Sequence, residues 1–265
     1  MRPWLLAYET GTRLILWTPV ALLLVTLALI VTFVWDRPSR PKVGRILAWL
    51  SGGMFVVQAY LALGWAPPER YMGDTARIIY MHVPTQWMAL LALTVNFCCS
   101  VAFLFKKDFD TDALAQAGAE VGLFLGILGL ITGSIWAKPT WGTWWTWDPR
   151  LVTEAILVVI YMGYLAMRRF VEDPEKRASW AAVMGIIGYV DIPVLWFSVK
   201  WWRSMHQVQS TTQSIDPIMR MVWTWSAAMF LSLTVVWLYQ RFLIAQATRR
   251  NEIALPSSLP QAQEA

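Results

Sequence analysis

Charged side chains make up only 15% of this 265-residue chain, and it holds two cysteines and two histidines. So little charge, set against 57% hydrophobic residues, excludes an ordinary soluble domain, whose surface needs far more. The two cysteines, Cys98 and Cys99, are adjacent inside an apolar run, where neighbouring side chains point in different directions. They form neither a metal site nor a redox Cys-x-x-Cys, and read as small packing residues. The net charge of +5 sits in short turns, and no basic stripe is interleaved with aromatics, so no nucleic-acid partner is indicated.

Apolar runs of about twenty residues, the length that crosses a bilayer core, occur near 13–35, 44–65, 84–105, 118–137, 151–168, 179–199 and 219–243. Lipid offers the backbone no hydrogen-bond partners, so these runs predict helices. The fold class is therefore all-α: a polytopic membrane helical bundle of about seven transmembrane helices. The first run is too long for a signal peptide and lacks a small-residue cleavage site, so it reads as a retained helix.

Lys and Arg set the orientation. One side carries Arg37, Arg40, Lys42, Arg45, Lys106, Lys107, Arg168, Arg169, Lys176, Arg177, Arg249 and Arg250. The other carries Arg70, Arg77, Lys138, Arg150, Lys200 and Arg203. The richer side faces the cytoplasm and binds anionic lipid, and seven helices place the N-terminus outside. Residues 246–265 read as a cytoplasmic tail, disordered from its Pro, Ser, Gln and Ala content over Leu255–Ala265. Asp108, Asp110 and Asp112 read as a solvated turn before the fourth helix.

Against this background one segment stands out: Trp141-Gly142-Thr143-Trp144-Trp145-Thr146-Trp147-Asp148-Pro149-Arg150. Four indoles, broken by glycine and proline, make an aromatic surface that needs a large planar partner or a membrane interface. Asp148-Pro149 is also a helix start, with an N-cap and proline at the first helical position. Tryptophan is enriched at membrane interfaces in any case, and Trp49, Trp65, Trp87, Trp180, Trp223 and Trp237 read as such belts or as packing.

The two histidines fall on the face that carries this segment. His82 precedes the third helix, and His206 lies between the sixth and seventh. An isolated loop histidine usually decorates a surface. Two neutral imidazoles beside an aromatic wall suit the axial positions of haem iron, approached from both sides. No Cys-x-x-Cys-His is present, so the chain does not attach haem to itself as a c-type cytochrome does. Arg77, Lys138, Arg150 and Arg203 could pair with haem propionates, with Arg77 and Arg150 favoured by their closeness to a ligand or to the motif.

Trp141–Asp148 resembles the "WWD" motif of the haem-handling proteins of c-type cytochrome maturation. With one outward histidine before it and one after, the chain is similar to the heme exporter protein C (CcmC) family. Arg77-Ile78-Ile79-Tyr80-Met81-His82-Val83-Pro84, Trp201-Trp202-Arg203-Ser204-Met205-His206-Gln207 and Ser214-Ile215-Asp216-Pro217 carry the likeness over roughly residues 44–243. The resemblance implies haem b (iron protoporphyrin IX) held by His82 and His206 at the outer face of a bacterial inner membrane. Trp141, Trp144, Trp145, Trp147 and Asp148 would then cover it, and Arg77 and Arg150 would orient it.

The implied partners are the haem chaperone CcmE, the ABC transporter components CcmA and CcmB, and the small membrane protein CcmD. Related proteins have six helices with the N-terminus inside, so residues 1–43 read as an added helix and basic turn ahead of a haem-handling domain, 44–245, whose outward loop is 136–150. No nucleophile or general base is evident, so any haem-lyase-like attachment to the chaperone would rest on positioning. A b-type electron-transfer cytochrome and a haem transporter working through its own bundle are the alternatives.

Inside the membrane, Gly118, Gly122, Gly126, Gly129 and Gly133 mark a close-packing face or clear room for a porphyrin. Asp191, two residues before Pro193, is either functional or neutral beside a kink. Glu120 and Glu154 are assigned no role.

Overall fold

The structure, a computed structural model, describes residues 21, 24–29, 40–206 and 216–254. Among the described residues from Arg40 onward the α-helices are, in order, α1 (Arg40–Tyr60), α2 (Ile79–Lys106), α3 (Phe109–Trp141), α4 (Pro149–Phe170), α5 (Pro174–Tyr189), α6 (Asp191–Trp201) and α7 (Pro217–Ala254). A π-helical turn, Leu61–Trp65, extends α1, and a 3-10 turn, Asp74–Ile78, leads into α2. Among the described residues there is no strand, only an isolated bridge between Glu69 and Gly73.

Among the described residues, six stretches are long and apolar enough to span a membrane: Pro41–Trp65, Asp74–Lys106, Phe109–Trp141, Pro149–Phe170, Pro174–Trp201 and Pro217–Glu252. They coincide with six of the seven apolar runs. Of the first run, residues 24–29 are helical, and Leu29 packs with Val43, Leu47 and Val236. Apart from residue 21, the remainder of that run lies outside the described residues, as does 255–265. Residues 246–254, read as the start of a disordered tail, instead continue α7.

The connections at the two ends differ in kind. At one end they are tight and capped. Lys107, at φ 52°, closes α2, and Asp108 accepts the Asp110 and Thr111 N–H groups to open α3. Asp173 accepts the Lys176 N–H ahead of Pro174 and opens α5. These caps each contribute about 1 kcal/mol and leave little free chain. At the opposite end lie the longer connections 66–73 and 142–148, together with residues 202–206.

The centre of the bundle is the α2–α3 contact. A Cβ on Gly118 would come 2.7 Å from the Ala92 carbonyl oxygen, and one on Gly122 would overlap the Leu93 side chain. Only hydrogen at these positions allows the two backbones so close, as at small-residue faces in membranes generally. The buried Asn96 amide donates to the Ala115 carbonyl at 2.8 Å and links the same two helices.

Two acidic residues depart from the sequence reading. Asp112 is no solvated turn residue: it is buried in the first turn of α3 and accepts both Arg168 NH groups at 2.7 Å. Glu120, assigned no role, pairs with Arg241 of α7. The buried bidentate pair fixes α4 against α3, and removing one partner would strand the other charge at a cost of about 3–5 kcal/mol.

Candidate functional site

At the end with the longer connections, a cavity of about 410 Å³ opens between α2, α3, α4, α6, α7 and the segment before residue 207. His82 reaches it from the first turn of α2, and His206 from the chain beyond α6. The only two imidazoles in the chain therefore face one open cavity.

His82 is held in a defined state. Its Nδ1 lies 3.1 Å from the Thr132 hydroxyl, which itself donates to the Leu128 and Gly129 carbonyls at 2.8 and 3.1 Å. With that single proton committed to the backbone, the hydroxyl oxygen can only accept. Nδ1 must then carry hydrogen, which leaves the Nε2 lone pair available. Trp136 meets the ring edge-on at 5.8 Å.

His206 is anchored through Asp148. The Asp148 carboxylate accepts the Ser204 hydroxyl at 2.9 Å and the Met205 N–H at 2.6 Å, while the Ser204 oxygen accepts the His206 N–H at 3.0 Å. Asp148 also accepts the Arg150 N–H at 3.0 Å as the N-cap of α4, with Pro149 in the first helical position. One carboxylate thus starts a helix and fastens the segment that carries the second histidine. Burial, with Arg150 nearby, pushes the His206 imidazole down to about 4, although Asp148 Oδ1, 4.0 Å from Nδ1, pulls the other way. The ring is consequently neutral at ordinary pH. Trp141 contacts it edge-on at 5.1 Å.

The other candidate residues divide. Trp141 and Arg150 line the cavity with the histidines. Trp144 and Trp147 do not; they project outward, 57% and 84% exposed, and Trp145 meets Trp147 edge-on at 6.0 Å. These three indoles form an outer lip beyond Gly142, whose φ of 79° lets the chain leave α3 sharply.

Arg77 also stands away from the cavity. It donates to Asp74 at 2.8 Å and to the Ala62 carbonyl in the π-helical turn at 2.6 Å. Lys138 donates to the Gly142 carbonyl at 3.0 Å. Of the basic candidates, Arg150 is the one that lines the cavity.

Several lining residues were missed from sequence. Trp87 and Trp223, read as belt or packing residues, stack at 5.4 Å with 20° between their planes. Gln86 lies one helical turn beyond His82, and Glu154, assigned no role, one turn beyond Arg150. That four-residue spacing was the available signal, since it places each pair on one helix face. Gly129 and Gly133 also line the cavity: a Cβ on Gly129 would overlap Gln86, and one on Gly133 would lie 3.0 Å from His82 Cε1. The glycine stripe is thus a close-packing face throughout, against backbone at Gly118 and against the Gln86 and His82 side chains at Gly129 and Gly133, where it also lines the cavity.

No group of three or more His, Cys, Asp or Glu that could hold a metal ion is found among the described residues. Two imidazoles alone suit a metal that brings its other ligands with it. Aromatic walls, two neutral nitrogen donors and an arginine fit a porphyrin disc bearing carboxylates.

Residues 37–256 match the family model of heme exporter protein C. The chain belongs to the heme exporter protein C family. Among its relatives, heme exporter protein C of Escherichia coli (strain K12) is 34% identical over 218 residues, 78% of this chain and 87% of that protein. The Bradyrhizobium diazoefficiens protein of the same name is 36% identical over 171 residues, 63% of this chain, and the match spans 64% of its length. A putative cytochrome c biosynthesis ccmC-like mitochondrial protein of Marchantia polymorpha is 38% identical over 172 residues, 65% of this chain and 73% of its own. The family match starts at residue 37, after the run at 13–35.

Proposed function

We propose that this protein binds haem b as cargo in c-type cytochrome maturation, holding its iron between His82 and His206 and delivering it to the haem chaperone CcmE. The observation that carries this reading is the convergence of both imidazoles, each with a nitrogen lone pair to offer, on one tryptophan-walled cavity. The family's name points to the same cargo.

In this scheme the cavity walls, among them Trp136 and Trp141, exclude water from the disc. Arg150 holds a propionate, and Trp144, Trp145 and Trp147 form the lip over which the chaperone approaches. Asp148 keeps the His206 segment seated. No nucleophile is required of the chain, because covalent attachment to the chaperone draws on the reactivity of the haem vinyl group once the two are aligned.

The site opens to the periplasm of a bacterial inner membrane, with the C-terminus cytoplasmic. This orientation follows from the Lys and Arg clustered about the tight turns at 107–108 and 171–173 and along the end of α7. Residues 44–245 form the haem-handling domain and 1–43 an added segment. CcmA, CcmB and CcmD are the further partners of the family assembly.

The test is the absorption spectrum of purified protein. His82→Ala and His206→Ala should each lose the low-spin bis-histidine form; its retention in both removes the ligand assignment. Replacing Trp144, Trp145 and Trp147 together by alanine should abolish chaperone loading with the protein still inserted. Undiminished loading would return these indoles to an interface belt.

A further inference from the structure

A second cavity, of about 330 Å³, lies at the opposite end of the bundle, between the start of α3, the end of α4, the start of α5 and the end of α7. Its charges do not balance. The three carboxylates that line it are each paired: Asp112 with Arg168, Glu252 with Arg177 at 2.6 Å, and Glu120 with Arg241. Two further lining arginines, Arg169 and Arg249, have no carboxylate within ion-pair distance among the described residues. Arg249 lies over the Phe109 ring, its guanidinium carbon 3.5 Å from the centroid. Asp108, the carboxylate that senses Arg249 electrostatically, is committed to capping α3. Asp110 accepts from Gln246 at 2.7 Å.

We propose that this cavity binds the phosphate headgroup of an anionic phospholipid, with Arg169 and Arg249 as its counter-charges. Position supports this, because four of the stretches long and apolar enough to span a membrane start or finish around the cavity, which is where a headgroup would lie. Shape supports it too: Leu165, Ala113 and Ala245 supply apolar wall beside the arginines, as a glycerol backbone and acyl chain require. Guanidinium groups hold phosphate oxygens with directed, charge-assisted hydrogen bonds, and basic pockets between membrane helices are suited to such headgroups. The paired arginines, Arg168 and Arg177, build the frame, while the two unpaired ones supply the attraction.

The test uses the delipidated full-length protein and native mass spectrometry in mixed micelles of phosphatidylglycerol and phosphatidylcholine. The wild type should retain phosphatidylglycerol preferentially. The double variant Arg169→Gln/Arg249→Gln should lose roughly tenfold in that preference. Neither side chain holds an ion pair, so the fold should survive, checked by helical circular dichroism and an unchanged haem spectrum. Lys42→Gln/Arg45→Gln, a charge-matched change on exposed α1 surface, should keep the preference. Equal retention by wild type and double variant overturns the proposal. So does release of phosphatidylglycerol by millimolar inorganic phosphate from the wild type, which would make free phosphate the ligand.

Discussion

The Asp148 carboxylate accepts the backbone N–H of Met205 at 2.6 Å and so binds the start of α4 to the residue beside His206. It is buried at 5% exposure and also serves Ser204 and the Arg150 N–H, a set of hydrogen bonds that only a carboxylate so placed can accept together. Asp148→Ala should remove an N-cap of about 1 kcal/mol and free the His206 segment. Haem affinity should fall on the order of 10–100-fold, as for other groups that orient a ligand. Asp148→Asn, which keeps one acceptor oxygen, should recover part of the loss. Haem titration followed in the Soret band decides it, and unchanged affinity in the alanine variant would count against the anchoring role.

Thr132 offers a cleaner dissection, since valine has its shape without the hydroxyl. In Thr132→Val the His82 Nδ1–H loses its acceptor, and the tautomer that exposes Nε2 is no longer enforced. Haem should dissociate about 10-fold faster or more, with Thr132→Ser close to wild type. Equal dissociation rates for the valine and serine variants would show that the hydroxyl does not govern the ring.

What could be read beforehand follows from how constrained each feature was. Lipid forces apolar runs into helices, so six spans were legible from composition, and scarcity together with a shared face beside the tryptophan loop brought His82 and His206 forward. Asp148 was legible as a helix start, but not as the anchor of residues more than fifty positions away. Trp136, Thr132 and Gln86 escaped because their meeting depends on the α2–α3 register, which Gly118 and Gly122 set only once the helices pack. Arg77 and Arg150 looked alike on paper. The π-helical turn that presents the Ala62 carbonyl to Arg77 has no sequence signature, and it draws that arginine away from the cavity. Trp87 and Trp223 read as belt or packing residues because interface, core and cavity all use tryptophan for its large apolar face.

His206 also makes a pH signature. Its folded-state value is lowered from 6.5 to about 4, chiefly by burial. A group shifted in this direction contributes stability that is present above 6.5 and is lost as pH falls toward 4. The haem-free protein should therefore lose thermal stability through that window, whereas His206→Gln should lose less. Parallel melting-temperature profiles for the two proteins between pH 7.5 and 4.5 would remove His206 from the acid response.

The glycine stripe of α3 provides a test in which two substitutions should give opposite phenotypes. At Gly118 an added Cβ meets backbone, the Ala92 oxygen at 2.7 Å and the Asn96 nitrogen at 2.8 Å, and neither can yield without moving a helix. Gly118→Ala should cost about 1–3 kcal/mol of stability by overpacking, while each folded molecule keeps its haem spectrum. At Gly133 the nearest atom is His82 Cε1 at 3.0 Å, and beyond it lies the cavity. Gly133→Leu should fill that space and displace the imidazole, abolishing haem binding with little change in melting temperature. Measuring both properties in both variants separates the two uses of one stripe. If Gly133→Leu retained haem, the disc could not occupy the space between α2 and α3, and the site would have to lie wholly outside, under the exposed indoles.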